Sequence, residues 1–114
     1  MQGFGLIIED VDASAVRIAL RGDLDLVHAY TFDEELQAVE ARRPTCICID
    51  LRELSFLDSC GLARLLAARR RARRLGHRLV IVRGSATVQR LFALAAVDES
   101  FEMVSEPPAA TVAR

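Results

Sequence analysis

Hydrophobic residues first recur at every second position: Phe4, Leu6 and Ile8, then Val16, Ile18 and Leu20, with Asp10-Val11-Asp12-Ala13-Ser14 between them. Side chains of a strand alternate between its two faces, so both runs read as half-buried strands and their closeness predicts an antiparallel hairpin. Gly22-Asp23-Leu24-Asp25 ends the second strand and leaves two carboxylates near its tip. The apolar spacing then changes to three and four, through Ala29, Phe32, Leu36 and Val39. That period predicts a helix from about Val27 to Ala41, with Asp33, Glu34, Glu35 and Glu40 mostly off the stripe. Pro44 stops it, and Arg42 and Arg43 suit the negative end of its dipole.

A continuous β-type run follows, Thr45-Cys46-Ile47-Cys48-Ile49-Asp50-Leu51, as expected of a central strand buried on both faces. Residues 52–58 read as a connector. The next helix spans about Ser59 to Leu75, with Leu65, Ala68, Ala72 and Leu75 facing inward and Arg64, Arg70, Arg71 and Arg74 outward. Gly76 is a suitable terminator. Arg78 to Val82 is a further strand, Gly84-Ser85 breaks it, and Val88, Leu91, Phe92 and Ala95 mark a short helix. Phe101 and Met103 add an edge strand. Residues 105–114, with Pro107-Pro108 and small residues, are expected to be a disordered tail. The order β-β-α-β-α-β-α-β predicts a single α/β domain over residues 1–104. Its sheet is mixed and mostly parallel, with an N-terminal hairpin and helices packed largely on one face.

Composition narrows the function. At 114 residues, 52% of them hydrophobic, the chain suits one domain with a full core. No apolar run approaches the roughly 20 residues that cross a bilayer, and no signal-peptide pattern opens the chain, so a cytoplasmic protein without membrane insertion is expected. A net charge of −1 carries no nucleic-acid signature. All fifteen basic residues are Arg, which together with the abundant Ala reads as coding bias. The cluster Arg64, Arg69, Arg70, Arg71, Arg73 and Arg74 reads as a solvated helix face. Three cysteines are too few for a secreted disulfide framework, and Cys46 and Cys48 share one face of a buried strand as small hydrophobes. Two isolated histidines make no metal site, and no cofactor is expected.

The informative stretch is Ser55-Phe56-Leu57-Asp58-Ser59-Cys60-Gly61-Leu62, where the connector meets the long helix. Either Asp58 or Ser59 can cap the helix; Asp58 is the expected cap, which makes Ser59 the first helical residue with its hydroxyl facing outward. A phosphate is tolerated there, because helix N-termini attract anions. The faint echo of a Gly-x-Ser-x-Gly elbow lacks its first Gly, and nothing ties His28 or His77 to Ser59 as a base. A thiol at Cys60 near the helix start is read as free and partly buried.

Asp50-Leu51 followed by Phe56-Leu57-Asp58-Ser59-Cys60-Gly61-Leu62 resembles the signature of STAS domains, and more narrowly of bacterial anti-sigma factor antagonists. Upstream Leu20-Arg21-Gly22-Asp23-Leu24-Asp25 is similar to the family's second-strand ending. Downstream Leu91-Phe92-Ala93-Leu94-Ala95-Ala96-Val97-Asp98 occupies the place of its third-helix ending, so the resemblance spans residues 4–104. It implies a non-enzymatic switch in transcription. Ser59 is then phosphorylated by an anti-sigma factor that is a Ser kinase; the unphosphorylated form binds that partner, and a Ser phosphatase resets the cycle. It further implies a partner surface made of Asp23, Asp25, Ser55, Phe56, Leu57, Asp58, Cys60, Gly61 and Leu62. The chain departs from the family pattern at Cys60, a frequent Ser, at Ala63, a frequent Gly, and at His28 and Tyr30. The usual Gly is also missing from Ala95-Ala96-Val97. The alternative within the same fold is a non-phosphorylated adaptor subunit of an ABC-type membrane transport assembly.

Overall fold

The structure is a computed structural model that describes residues 3–108. The alternating runs pair as their spacing demands. β1 (Phe4–Asp10) lies antiparallel to β2 (Ala15–Leu24), from Phe4 opposite Gly22 to Asp10 opposite Val16. β2 is parallel to β3 (Cys46–Leu57), β3 to β4 (Arg78–Val82), and β4 to β5 (Glu102–Val104). The sheet order is therefore β1-β2-β3-β4-β5. Three helices connect the parallel strands: α1 (Ala29–Glu40), α2 (Ser59–Leu75) and α3 (Ala86–Leu94), the last followed by a 3-10 turn over Asp98–Ser100.

Rows of side chains across the sheet form the floor of the core. Ile8, Ile18, Ile49, Ile81 and Met103 stand side by side in register, and Val16, Ile47 and Leu79 form the next row. Phe32, Leu36 and Val39 of α1, Leu62, Leu65 and Ala68 of α2, and Val88 and Phe92 of α3 close over them in one cluster. A mixed five-stranded sheet with an N-terminal hairpin and three helices is the fold that the patterning predicted.

The opposite face of the sheet is polar. Asp50, only 2% exposed, takes Arg17 Nη2 at 2.8 Å and Arg52 Nη2 at 2.7 Å, and Arg17 also reaches Glu9 at 3.0 Å. Burial raises the Asp50 pKa, but hydrogen bonds from Arg52 and Arg17 outweigh it and hold the carboxyl below its ordinary value. Cys46 and Cys48 do share this face, where burial pushes the Cys48 thiol up to about 11 and keeps it protonated at neutral pH.

Several boundaries differ from the sequence reading. Residues 52–57 are not a connector but the second half of β3, in which Leu54 and Leu57 are buried at a spacing of three from buried Leu51. Two register shifts against β2, between Ala19 and Arg21 and between Gly22 and Asp23, each place an extra residue on β3. They convert the period of two into a period of three, which no alternation rule detects. Gly22 makes the second shift possible: its φ is +83°, and a Cβ there would lie 1.7 Å from Gly3 O.

α1 begins two residues later than expected, because the chain turns over residues 25–28 first. Leu75 is exposed rather than part of the inner stripe, and Leu66 packs partly against the core. Arg71 does not face solvent. Its Nε lies 2.7 Å from Glu40 Oε1 and its Nη2 contacts Asp33 Oδ1 at 3.1 Å, which locks α2 to two acidic residues of α1. α3 ends at Leu94, leaving Ala95 outside it, and Ala96 takes a φ of 58° where a Gly is usual. Of the expected tail, residues 105–108 are described, with Pro107 half-buried, and residues 109–114 lie outside the described residues.

Candidate functional site

The parallel pairing of β2 with β3 brings their C-terminal ends together, Asp23 opposite Phe56 and Leu24 opposite Leu57. The backbone of Asp58 continues this pairing, its N–H donating to Leu24 O at 3.3 Å, and then leaves the sheet in an extended conformation as the N-cap of α2. The Asp58 carboxylate performs two tasks. Oδ1 accepts from Gly61 N at 2.9 Å, satisfying a free donor of the helix start, and Oδ2 accepts from Leu26 N at 3.1 Å. One side chain thus ties the first turn of α2 to the loop that follows β2.

Gly61 lets the two approach so closely. A Cβ on it would lie 2.4 Å from Leu24 O and 2.7 Å from Leu57 Cδ1, so the first turn of α2 rests directly on the end of β2. Asp25 organises the other side of the loop. Its Oδ1 accepts from His28 N at 3.2 Å and lies 2.8 Å from His28 Nδ1, while its carbonyl accepts from Ala29 N at 2.8 Å and so starts α1. Burial raises the Asp25 pKa, yet the hydrogen bonds from His28 outweigh it and leave the carboxyl below its usual range, charged at neutral pH. The His28 ring stacks on Phe4 at 5.5 Å between centroids.

Of the two candidate caps, Asp58 is the one used. Ser59 is the first residue of α2, is exposed, and its hydroxyl plays no capping role. The other expected site residues divide by burial. Ser55 and Phe56 are exposed, and Asp23, Asp25, Asp58 and Cys60 are half-buried around the same end of the sheet. Leu57, Gly61 and Leu62 are buried, so they support the surface from beneath and do not form it. The bulged strand turns Leu57 inward, and Leu62 lies on the core side of α2.

The structure adds members that the sequence reading left out. Leu26 is 63% exposed and Val27 76%, on the loop that Asp58 holds. Tyr30, 69% exposed in the first turn of α1, joins them, and with Phe56, which the sequence already placed at the site and which is 45% exposed, they make an apolar set around the Ser59 end of the sheet. Scattered exposed apolar residues are ordinary, whereas these four stand on segments that adjoin the start of α2. The available signal was that Leu26 and Val27 precede the helical stripe without joining it. Asp23, Asp25 and Asp58 make the rim of this surface acidic.

Among the described residues, no group of three or more His, Cys, Asp or Glu side chains is placed to hold a metal ion. A cleft of about 350 Å³, lined in part by Arg17, Cys46, Cys48 and Arg78, lies at the opposite end of β3 from Ser59. Among the described residues no helix is long and apolar enough to cross a membrane.

Comparison with known proteins places this geometry. Residues 8–105 match the family model described as "Mlab, STAS domain". The anti-sigma-F factor antagonist RsfB of Mycobacterium tuberculosis is 34% identical over 91 residues, which cover 77% of this chain and 71% of that protein. The anti-sigma-B factor antagonist of Listeria monocytogenes is 27% identical over 96 residues, 84% of each chain. Among solved structures, an anti-sigma factor antagonist from Mycobacterium paratuberculosis superposes with a TM-score of 0.78 at 25% identity, covering 91% of this chain and 87% of that one.

Proposed function

The chain belongs to the STAS domain family and to its anti-sigma factor antagonists, and we propose that it is a phosphorylation-controlled member, switched at Ser59. In this reading the unphosphorylated protein binds an anti-sigma factor that is also a Ser kinase, and so releases a sigma factor. Phosphorylation of Ser59 by that partner ends the binding, and a Ser phosphatase restores it. The protein is a substrate and a switch.

One observation carries the reading: Ser59 is exposed at a helix start whose capping is already done by Asp58. Its hydroxyl is available to a kinase, and modifying it removes no hydrogen bond on which the fold depends. A phosphoserine adds about −1.5 to −2 charges at neutral pH. The dipole and remaining N–H groups of α2 accommodate that charge within the protein. A partner seated on Leu26, Val27, Tyr30 and Phe56 would instead meet a dianion at an apolar contact already rimmed by Asp23, Asp25 and Asp58. Desolvating and opposing such charge costs several kcal/mol, and about 3 kcal/mol suffices for a hundredfold loss of affinity. No internal rearrangement is required.

The test is incubation with a candidate anti-sigma Ser kinase and ATP, with the phosphate located by mass spectrometry. Phosphate on Ser59 is expected, with Ser59→Asp losing the partner and Ser59→Ala binding it constitutively. If Ser59→Asp binds as tightly as the wild type in calorimetry, the charge mechanism is wrong. Absence of phosphate together with co-purification of a transporter ATPase would establish the adaptor role in its place.

A further inference from the structure

The sheet ends in two edges, the three-residue β5 and the seven-residue β1. Exposed edges present unpaired backbone N–H and C=O groups, and monomeric proteins usually blunt them with Pro, Lys or an inward-pointing charge. The middle of β1 has none of these: it reads Gly5-Leu6-Ile7-Ile8, and Ile7 is 58% exposed. Ile7 is also the central residue of the strand, three from Phe4 and three from Asp10.

The charges beside this edge are arranged for a partner. Arg21, opposite Gly5 in the hairpin, lays its side chain across that glycine, so a Cβ on Gly5 would lie 3.3 Å from Arg21 Nε. Arg21 is exposed and forms no ion pair among the described residues, with Glu53 opposite it on β3. Glu9, near the other end of β1 and on the same face as Gly5 and Ile7, uses Oε1 for Arg17 and is largely exposed. A missing side chain and an unpaired cation thus occupy one end of the edge, and an accessible carboxylate the other.

We propose that β1 pairs antiparallel with β1 of a second copy of this chain, in the register centred on Ile7. Antiparallel pairing about a two-fold axis keeps the helical layers of both copies on one side and requires residues of the same face to oppose each other. The Ile7 register pairs all seven residues. It sets Ile7 against the partner's Ile7, Leu6 against the partner's Ile8, and Gly5 against the partner's Glu9. The partner's Glu9 then lies over the vacant position at Gly5, beside Arg21, and the same contact repeats across the axis. Centring on Ile8 would instead put Ile7 against the partner's Glu9, an apolar–charged mismatch. The two five-stranded sheets become one, with the Ser59 surfaces at opposite ends. Because the edge is short, the association depends on concentration.

Sedimentation velocity over a concentration series tests this on the full chain. A monomer–dimer equilibrium is expected. Ile7→Lys should raise the dimer Kd about tenfold or more, because it opposes like charges at the axis, with unchanged far-UV circular dichroism. Arg21→Glu should weaken the dimer about threefold, an effect that fades at high salt. A wild type that stays monomeric throughout the series overturns the proposal and leaves the edge to a strand from another protein. A dimer indifferent to both substitutions overturns it as well, since association then uses another surface.

Discussion

Asp58→Ala and Ser59→Ala remove neighbouring polar side chains, yet the structure assigns them very unequal consequences for stability. The Asp58 carboxylate receives N–H groups from Gly61 at 2.9 Å and from Leu26 at 3.1 Å. Loss of a helix N-cap costs about 1 kcal/mol, and this acceptor is charged, which makes its bonds stronger than neutral ones. The Leu26 bond is exposed, so water replaces it and its loss adds only a few tenths. Together Asp58→Ala is expected to cost about 2 kcal/mol. For a domain of this size that is a Tm drop of roughly 8 °C. Ser59→Ala removes a hydroxyl with no capping role and should fall within about 0.5 kcal/mol of wild type. Asp58→Ser, which retains a capping oxygen for Gly61 but is too short to bridge to Leu26, should recover about half of the loss. Urea unfolding followed by far-UV circular dichroism, with the m value held as a check on two-state behaviour, measures all three. Equal losses for Ser59→Ala and Asp58→Ala would refute the assignment, because the hydroxyl would then be holding the helix start and its phosphorylation would disturb the fold.

Three further outcomes follow from the packing. Gly61→Ala should cost about 3 kcal/mol in the same unfolding assay, because its Cβ would meet the Leu24 carbonyl and the Leu57 side chain, both held by the sheet; a near-neutral result would mean that α2 is free to shift. Ala96→Gly should stabilise by about 1 kcal/mol, because Ala at a φ of 58° bears a penalty that Gly does not; a loss of stability would show that the methyl group matters more than the backbone. Asp50, whose carboxyl lies below its ordinary pKa through Arg52 and Arg17 despite burial, should contribute to acid stability. A depressed carboxylate stabilises fully above its unfolded pKa of about 3.9, and that contribution is lost as pH falls through the folded value. Asp50→Asn should therefore flatten the acid limb of the stability–pH curve below about pH 4, and an unchanged limb would count against the pairing.

Much of this fold was legible in local pattern. Val16, Ile18 and Leu20 alternate because one side of their strand faces the core, and Ala29, Phe32, Leu36 and Val39 follow helical spacing for the same reason; all are buried where the pattern put them. Residues 46–51 read as a central strand because both sides are covered. The helix start at Ser59 was visible too, since only a few residue types cap well. These are local consequences of periodicity and backbone chemistry, and they require no knowledge of neighbours.

Whatever depends on pairing between distant segments was not legible. The bulges that extend β3 through Leu57 arise from register against β2, which residues 52–57 do not announce by themselves. Arg71 looked like one of several outward arginines until α1 supplied Asp33 and Glu40 opposite it. Leu26 and Val27 joined the candidate surface only when Asp58, more than thirty residues later, fixed their loop beside Ser59. The sequence by itself determined that a serine stands where a helix begins and which family signature surrounds it. Only the tertiary structure decided between Asp58 and Ser59 as the cap, because that choice depends on which oxygen reaches Gly61 and Leu26 once the ends of β2 and β3 lie side by side.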